Sequence, residues 1–127
     1  MYIDKNSIII NNVNMGNYIT QAQFGYNKLW GDDTGRNLAG TFSGTLKGIF
    51  PKIILQFQPL SKTDLEVIVP ILDSATQTVT YYDPYKKQNV TMTTYTGDYE
   101  IINKNIIDSS AKNEAFSCSF IATSKRV

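Results

Sequence analysis

The chain is 127 residues long, 42% hydrophobic and close to neutral, with 12 Lys and Arg against 11 Asp and Glu. That length and apolar content suit one domain with its own core, and a net charge of +1 gives no global field to draw the protein to nucleic acid or to a membrane surface. With Cys118 its single cysteine and no histidine, the chain lacks a disulfide framework, a cysteine-rich zinc site and the commonest metal ligand and general base.

Met1 to Asn12 carries Asp4 and only a short apolar run, so it reads as neither signal peptide nor membrane helix, and a cytoplasm-like compartment is expected. Ser7 to Ile10 is a β-branched run that stops at Asn11-Asn12, and Val13 to Met15 answers it as a short hairpin. Tyr18 to Leu29 places Tyr18, Thr20, Ala22 and Phe24 at period two. A bulge at Gly25 would then shift Tyr26, so the segment reads as one strand or two. From Trp30 to Gly44 the chain collects Gly31, Asp32, Asp33, Thr34, Gly35, Arg36, Asn37, Gly40 and Gly44. This composition is too polar and glycine-rich to fill a core, and it predicts a long loop at about 31–44.

Thr41 to Gly48 and Ile49 to Gln58 form the middle of the chain, with Phe42 and Leu46 on one side of a regular strand and Gly48 a point where it turns or kinks. Side chains alternate along a strand, so Ile53, Leu55 and Phe57 face the core while Lys52, Gln56 and Gln58 face away. After Pro59, Ser61 is placed to cap a helix and Asp64 to favour its dipole. Leu65, Ile68, Val69 and Leu72 then make one apolar stripe directed at the sheet. Pro70 removes a bond to Glu66, which predicts a helix that kinks or ends near Val69. Gln77 to Tyr82 and Val90 to Tyr95 flank an Asp83-Pro84 turn with Tyr85, Lys86 and Lys87 at its tip, the clearest hairpin of the chain. Gly97-Asp98 breaks or bulges the second strand before Tyr99 to Ile102. Asn103 to Asn113 is a polar connection containing Ile106-Ile107, and Phe116, Cys118, Phe120 and Ala122 mark a buried last strand. The expected fold is mainly β, an antiparallel β-sandwich or barrel with a single short α-helix packed on the sheet, in one domain spanning 1–127.

Candidate chemistry is sparse. Asp32-Asp33 in a Gly-Asp-Asp-Thr-Gly stretch serves to keep the loop in water, since Asp32, Asp33, Thr34 and Asn37 fall short of the ligand set a calcium loop needs. Asp83, Asp98 and Glu100 are carboxylates with no spacing that fixes a glycosidase pair. The glycines of 31–44 fit neither a P-loop nor a dinucleotide fingerprint, and Cys118 with its apolar period-two neighbours is a core residue. Asn89-Val90-Thr91 matches the glycosylation pattern but reads as a turn entering a threonine-rich strand. Lys86-Lys87 and Lys125-Arg126 are isolated basic pairs that read as solvated ends, and nucleic acid is not favoured. No catalytic residue, metal or cofactor is expected.

The order of Ile9-Ile10-Asn11-Asn12-Val13, Gly35-Arg36-Asn37-Leu38-Ala39-Gly40, the strand into Pro59-Leu60-Ser61, Val79-Thr80-Tyr81-Tyr82-Asp83-Pro84, Tyr95-Thr96-Gly97-Asp98 and Phe116-Ser117-Cys118-Ser119-Phe120 resembles small structural proteins encoded among the tail genes of long-tailed bacteriophages and prophages. Each motif is common alone; their order and spacing carry the resemblance along most of the chain. Pro70 departs from the family pattern within the helix.

The resemblance implies a virion component of the tail, baseplate or neck, assembled in the host bacterial cytoplasm and partnered by other phage structural proteins. It further implies a homo-oligomeric ring, six-fold to suit a tail, in which each subunit lends loops or edge strands to its neighbour. The predicted subunit-interface residues are Asp32, Asp33, Arg36 and Asn37 in the loop and Tyr85, Lys86 and Lys87 at the hairpin tip, with Arg36 placed to fork onto a neighbour's carboxylate. The alternative is a carbohydrate-binding β-sandwich for host-surface attachment, for which Tyr81, Tyr85 or Tyr99 would have to be exposed and coplanar. An enzyme ranks third.

Overall fold

A computed structural model describes residues 4–31, 35–36, 40–103 and 113–126. The chain opens with a 3-10 turn at Lys5–Ser7 and the minimal hairpin β1 (Ile9–Ile10) and β2 (Val13–Asn14), then a second 3-10 turn at Met15–Asn17. Asn11 and Asn12 take φ of 50° and 68°, the left-handed pair that a two-residue hairpin turn requires and that asparagine tolerates best after glycine. Asn11 also secures the hairpin to the sheet: its N–H donates to Thr78 O, and its side-chain Oδ1 accepts from Thr78 N, both at 2.9 Å. Gly16 lets the two 3-10 turns meet, because a Cβ there would lie 1.9 Å from Asn6 Oδ1.

Two long strands follow, β3 (Ile19–Trp30) and β6 (Leu46–Phe57), with the two-residue strands β4 (Gly35–Arg36) and β5 (Phe42–Ser43) paired to each other between them. The predicted long loop therefore begins one residue later than Trp30 and carries a small ladder of its own. The bulge expected at Gly25 is absent: Gly25 pairs in register with Lys52, and the extra residue of β3 is Thr20. That bulge turns Ile19 inward at one end, while Ala22, Phe24 and Tyr26 hold the inner face beyond it, so Thr20 is exposed rather than core-facing. A second irregularity leaves Lys47 of β6 unmatched between Leu46 and Gly48, but β6 continues through Gly48 without turning.

Helix α1 (Lys62–Leu72) starts as predicted. Ser61 Oγ accepts from Asp64 N at 3.3 Å and Asp64 Oδ2 accepts from Ser61 N at 3.4 Å, a reciprocal capping box. It does not end near Val69. Pro70 lies in the last turn, where it forfeits one bond. Ile71 and Leu72 are buried in the core and hold that turn in place, and Asp73 N donates to Val69 O at 2.9 Å.

The remaining strands are β7 (Gln77–Asp83), β8 (Gln88–Thr96) and β9 (Phe116–Ala122). The chain leaves the sheet after Gly97, whose N–H donates to Ser119 O at 3.1 Å. Tyr99 to Ile102 forms no strand, contrary to the sequence pattern, because Tyr99 is held by its side chain instead: its hydroxyl donates to Asp73 Oδ1 at 2.5 Å and its ring meets Phe116. Ile106-Ile107 falls outside the described residues.

All pairings are antiparallel, in the order β2-β1-β7-β8-β9-β6-β3. The sheet curls over on itself, since Phe24 of β3 stacks on Tyr81 of β7 at 6.2 Å although β8, β9 and β6 lie between them in the sheet. Its concave face packs Ile10, Ile53, Leu55, Phe57, Val79 and Phe120 around Ile68 and Leu72 of α1, each 2% exposed or less. The fold is thus mainly β with one helix, and burial of this face is its main source of stability.

Candidate functional site

The first feature of interest is where the sheet stops being covered. β9 pairs with β6 only from Lys52 to Phe57, and the C-terminal tail adds one further bond, Arg126 N to Ile49 O at 2.7 Å. Beyond Ile49 the β3–β6 ribbon continues past the last pairing with β9, through Trp30 and Leu46 to a bond from Gly31 N to Thr45 O at 2.7 Å. Its end carries Leu29, Trp30 and Leu46 exposed at 49, 37 and 43%. Trp30 and Leu46 are cross-strand partners and share one face of the ribbon, while Leu29, the preceding residue of β3, points to the other, so both faces of this end show large apolar side chains to water. The outer edge of β3 also meets no other strand among the described residues, so alternate residues along this twelve-residue strand turn their main-chain N–H and C=O groups outward.

The second feature is a gap in the wall. β8 is zipped to β9 from Thr96 back to Thr94, and Thr123 N adds one bond to Thr93 O at 3.0 Å. The tail then turns away to Ile49, leaving Gln88–Met92 of β8 without that neighbour. In an antiparallel ladder alternate residues direct their main-chain groups to the same side, so Asn89 and Thr91, of the same parity as Thr93, face the gap. Gly48 permits the tail's close approach to the ribbon: a Cβ there would lie 2.8 Å from Lys125 Cβ. The gap is a cleft of about 420 Å³ whose inner wall includes Tyr81, Val90 and Met92 and whose rim carries Lys86, Lys125 and Arg126. Among the described residues, three cations and no carboxylate side chain line it.

Beneath the cleft lies a buried ionic cluster. Asp83 continues the inward parity of Gln77, Val79 and Tyr81 along β7 and is completely buried. Its Oδ1 accepts from Tyr85 N at 2.9 Å and lies 3.6 Å from Arg126 Nη1, while Oδ2 and the hydroxyl of Tyr26 are buried without a hydrogen-bond partner. The Arg126 guanidinium is held between two rings, 4.3 Å from the centroid of Tyr85 and 5.4 Å from that of Tyr26. Burial pushes the Tyr81 hydroxyl up to about 12, helped by the charge of Asp83 and by Tyr26 and opposed by Arg126; Tyr26 is raised for the same leading reason. Arg126 therefore fastens the tail to the β7–β8 turn and to β3 at once.

The predicted interface residues separate into two groups. Tyr85, Lys86 and Lys87 are exposed on the β7–β8 turn, Tyr85 at 71%, with Lys87 at a φ of 58°. The fold brings Lys86 to Lys125 and Arg126, two basic pairs that are remote in sequence. Arg36 is in β4, opposite Phe42 in the ladder, whereas Asp32, Asp33 and Asn37 lie outside the described residues. The tyrosines do not share one platform. Tyr81 is buried, Tyr99 is half-buried with its hydroxyl on Asp73, and Tyr85 lies against Arg126.

Sequence reasoning missed Asp83, Arg126 and Tyr26 as a unit. One signal was present: an aspartate on the inward parity of a strand needs a counter-charge. Among the described residues no group of three His, Cys, Asp or Glu could hold a metal, and no helix is long and apolar enough to cross a membrane. No protein-family model matches the chain, and no curated protein is significantly similar to it.

Proposed function

We propose that the protein is a structural subunit that assembles with copies of itself into a symmetric ring and, from the resemblance of its motifs, that this ring belongs to the tail, baseplate or neck of a bacteriophage virion. The observation that carries the assembly reading is the β3–β6 ribbon, which ends in exposed Leu29, Trp30 and Leu46 and borders a twelve-residue free edge. Exposed apolar side chains and an open strand edge on one element are costly for a protein that stays alone in water and suited to one that is covered by a neighbour. Head-to-tail coverage that closes by rotation gives a ring.

Light scattering across a concentration series, alone and with the products of neighbouring genes, tests this reading. The expected result is a defined multiple of the monomer mass, and Leu29→Glu with Leu46→Glu should remain monomeric at concentrations where the parent is assembled, with unchanged thermal melting. A monomer at every concentration, indifferent to virion partners, overturns it. Carbohydrate binding is the weaker alternative because only Tyr85 of its three candidate rings is well exposed.

A further inference from the structure

The geometry points to the cleft between β8 and the C-terminal tail as the receptor for the acidic arm loop, Gly31-Asp32-Asp33-Thr34, of a second copy of this chain; the inference rests on the assembly reading above and gives it a contact. Three observations lead there. Lys86, Lys125 and Arg126 converge on the cleft with no carboxylate side chain in its lining among the described residues, so an anionic occupant is favoured. Arg126 is already matched by Asp83, which leaves the two lysines as the charge to be answered from outside. Asn89 and Thr91 direct main-chain groups into the gap, so an extended segment lying there has backbone partners as well as charged ones.

The occupant is read from the sequence. Asp32 and Asp33 are consecutive carboxylates between two glycines, with no basic residue between Trp30 and Arg36. They follow directly on the ribbon end that carries the exposed Leu29 and Trp30. An arm seated in a second copy's cleft makes a heterologous contact: each subunit gives an arm to one neighbour and a cleft to the other. Of the predicted interface residues, Asp32 and Asp33 in the loop and Lys86 at the β7–β8 turn become two halves of the same contact, in which Arg36 has no part.

Charge reversal by mixing tests it. One variant carries Asp32→Lys and Asp33→Lys, and the other carries Lys86→Glu and Lys125→Glu, the latter pair exposed in the fold. Each variant alone places like charges at every contact, and the concentration for half-assembly should rise about tenfold or more. An equimolar mixture offers an alternating arrangement in which every arm meets an opposite charge, so assembly should return to near the parent level. Assembly of the parent should also weaken as salt is raised.

Separate variants that assemble like the parent, or a mixture that stays apart, overturn the inference while leaving self-assembly standing. Failure to recover on mixing is also the signature of an arm that folds back on its own cleft. A parent that never assembles removes both.

Discussion

The two ends of β7 solve the same problem differently. At Gln77 the strand begins with a buried polar side chain whose every bond is met within the chain: Nε2 donates to Ile71 O at 3.0 Å and to Ser74 O at 2.9 Å, and Oε1 accepts from Thr94 Oγ1 at 3.2 Å. Thr96 Oγ1 adds a bond to Leu72 O at 3.0 Å, so side chains satisfy carbonyls of the last turn of α1 that a helix end otherwise leaves open. At Asp83 the same strand ends in a buried carboxylate with one oxygen partnered and one not, beneath a gap in the sheet and beside a ribbon with apolar side chains in water. The first end is complete within one subunit. The second has the unpaired edge, the cluster of cations and the exposed apolar side chains, which is why the proposed assembly contacts fall there.

The comparison breaks most sharply at Arg126. Arg126→Ala leaves Asp83 as an uncompensated charge in a fully buried position and frees the tail from Tyr26 and Tyr85, and should lower stability by about 3–5 kcal/mol. Chemical denaturation measures it. Adding Asp83→Asn, which keeps an oxygen for the Tyr85 N–H but removes the charge, should recover most of the loss. Equal losses in the single and double variants would mean that Arg126 acts through packing alone. At the other end, Gln77→Ala removes three hydrogen bonds at once and should cost about 1–3 kcal/mol. Its denaturation midpoint should fall with no change in assembly at matched folded concentration, whereas a change in assembly would show that the ends are coupled.

How much of this the sequence discloses follows the range of each signal. Ser61 with Asp64, the Asp83-Pro84 turn and the parity of Phe116, Cys118 and Phe120 are local patterns, and each foretold its element. The bulges at Thr20 and Lys47 fall at residues with no special backbone preference, so alternation placed the wrong side chains on the inner face near Thr20 and suggested Gly25 instead. Pro70 is a strong local stop, yet it lost to the burial of Ile71 and Leu72, a tertiary effect. The pairing of Asp83 with Arg126 joins a hairpin turn to the tail, and no spacing rule links residues so far apart. Trp30 stands in a polar stretch but belongs to β3, because pairing across to Leu46 continues past the point where the sheet body ends.

The smallest effect concerns how the open end titrates. Tyr81 is buried beside Asp83, and its hydroxyl is raised from an ordinary 10.0 to about 12, first by burial and then by that negative charge. A raised acid keeps its proton longer in the folded state than in the unfolded one. Below about pH 10 both states hold the proton and Tyr81 contributes no slope; between about 10 and 12 the unfolded chain releases it first, so stability falls as pH rises. Tyr81→Phe removes the ionisation while retaining the ring against Phe24. The variant's denaturation midpoint should therefore fall less steeply than the parent's over that alkaline window, with parallel behaviour near neutrality. Parallel curves throughout would mean that the hydroxyl reaches solvent, and that the gap beside β8 already admits water as deep as Tyr81.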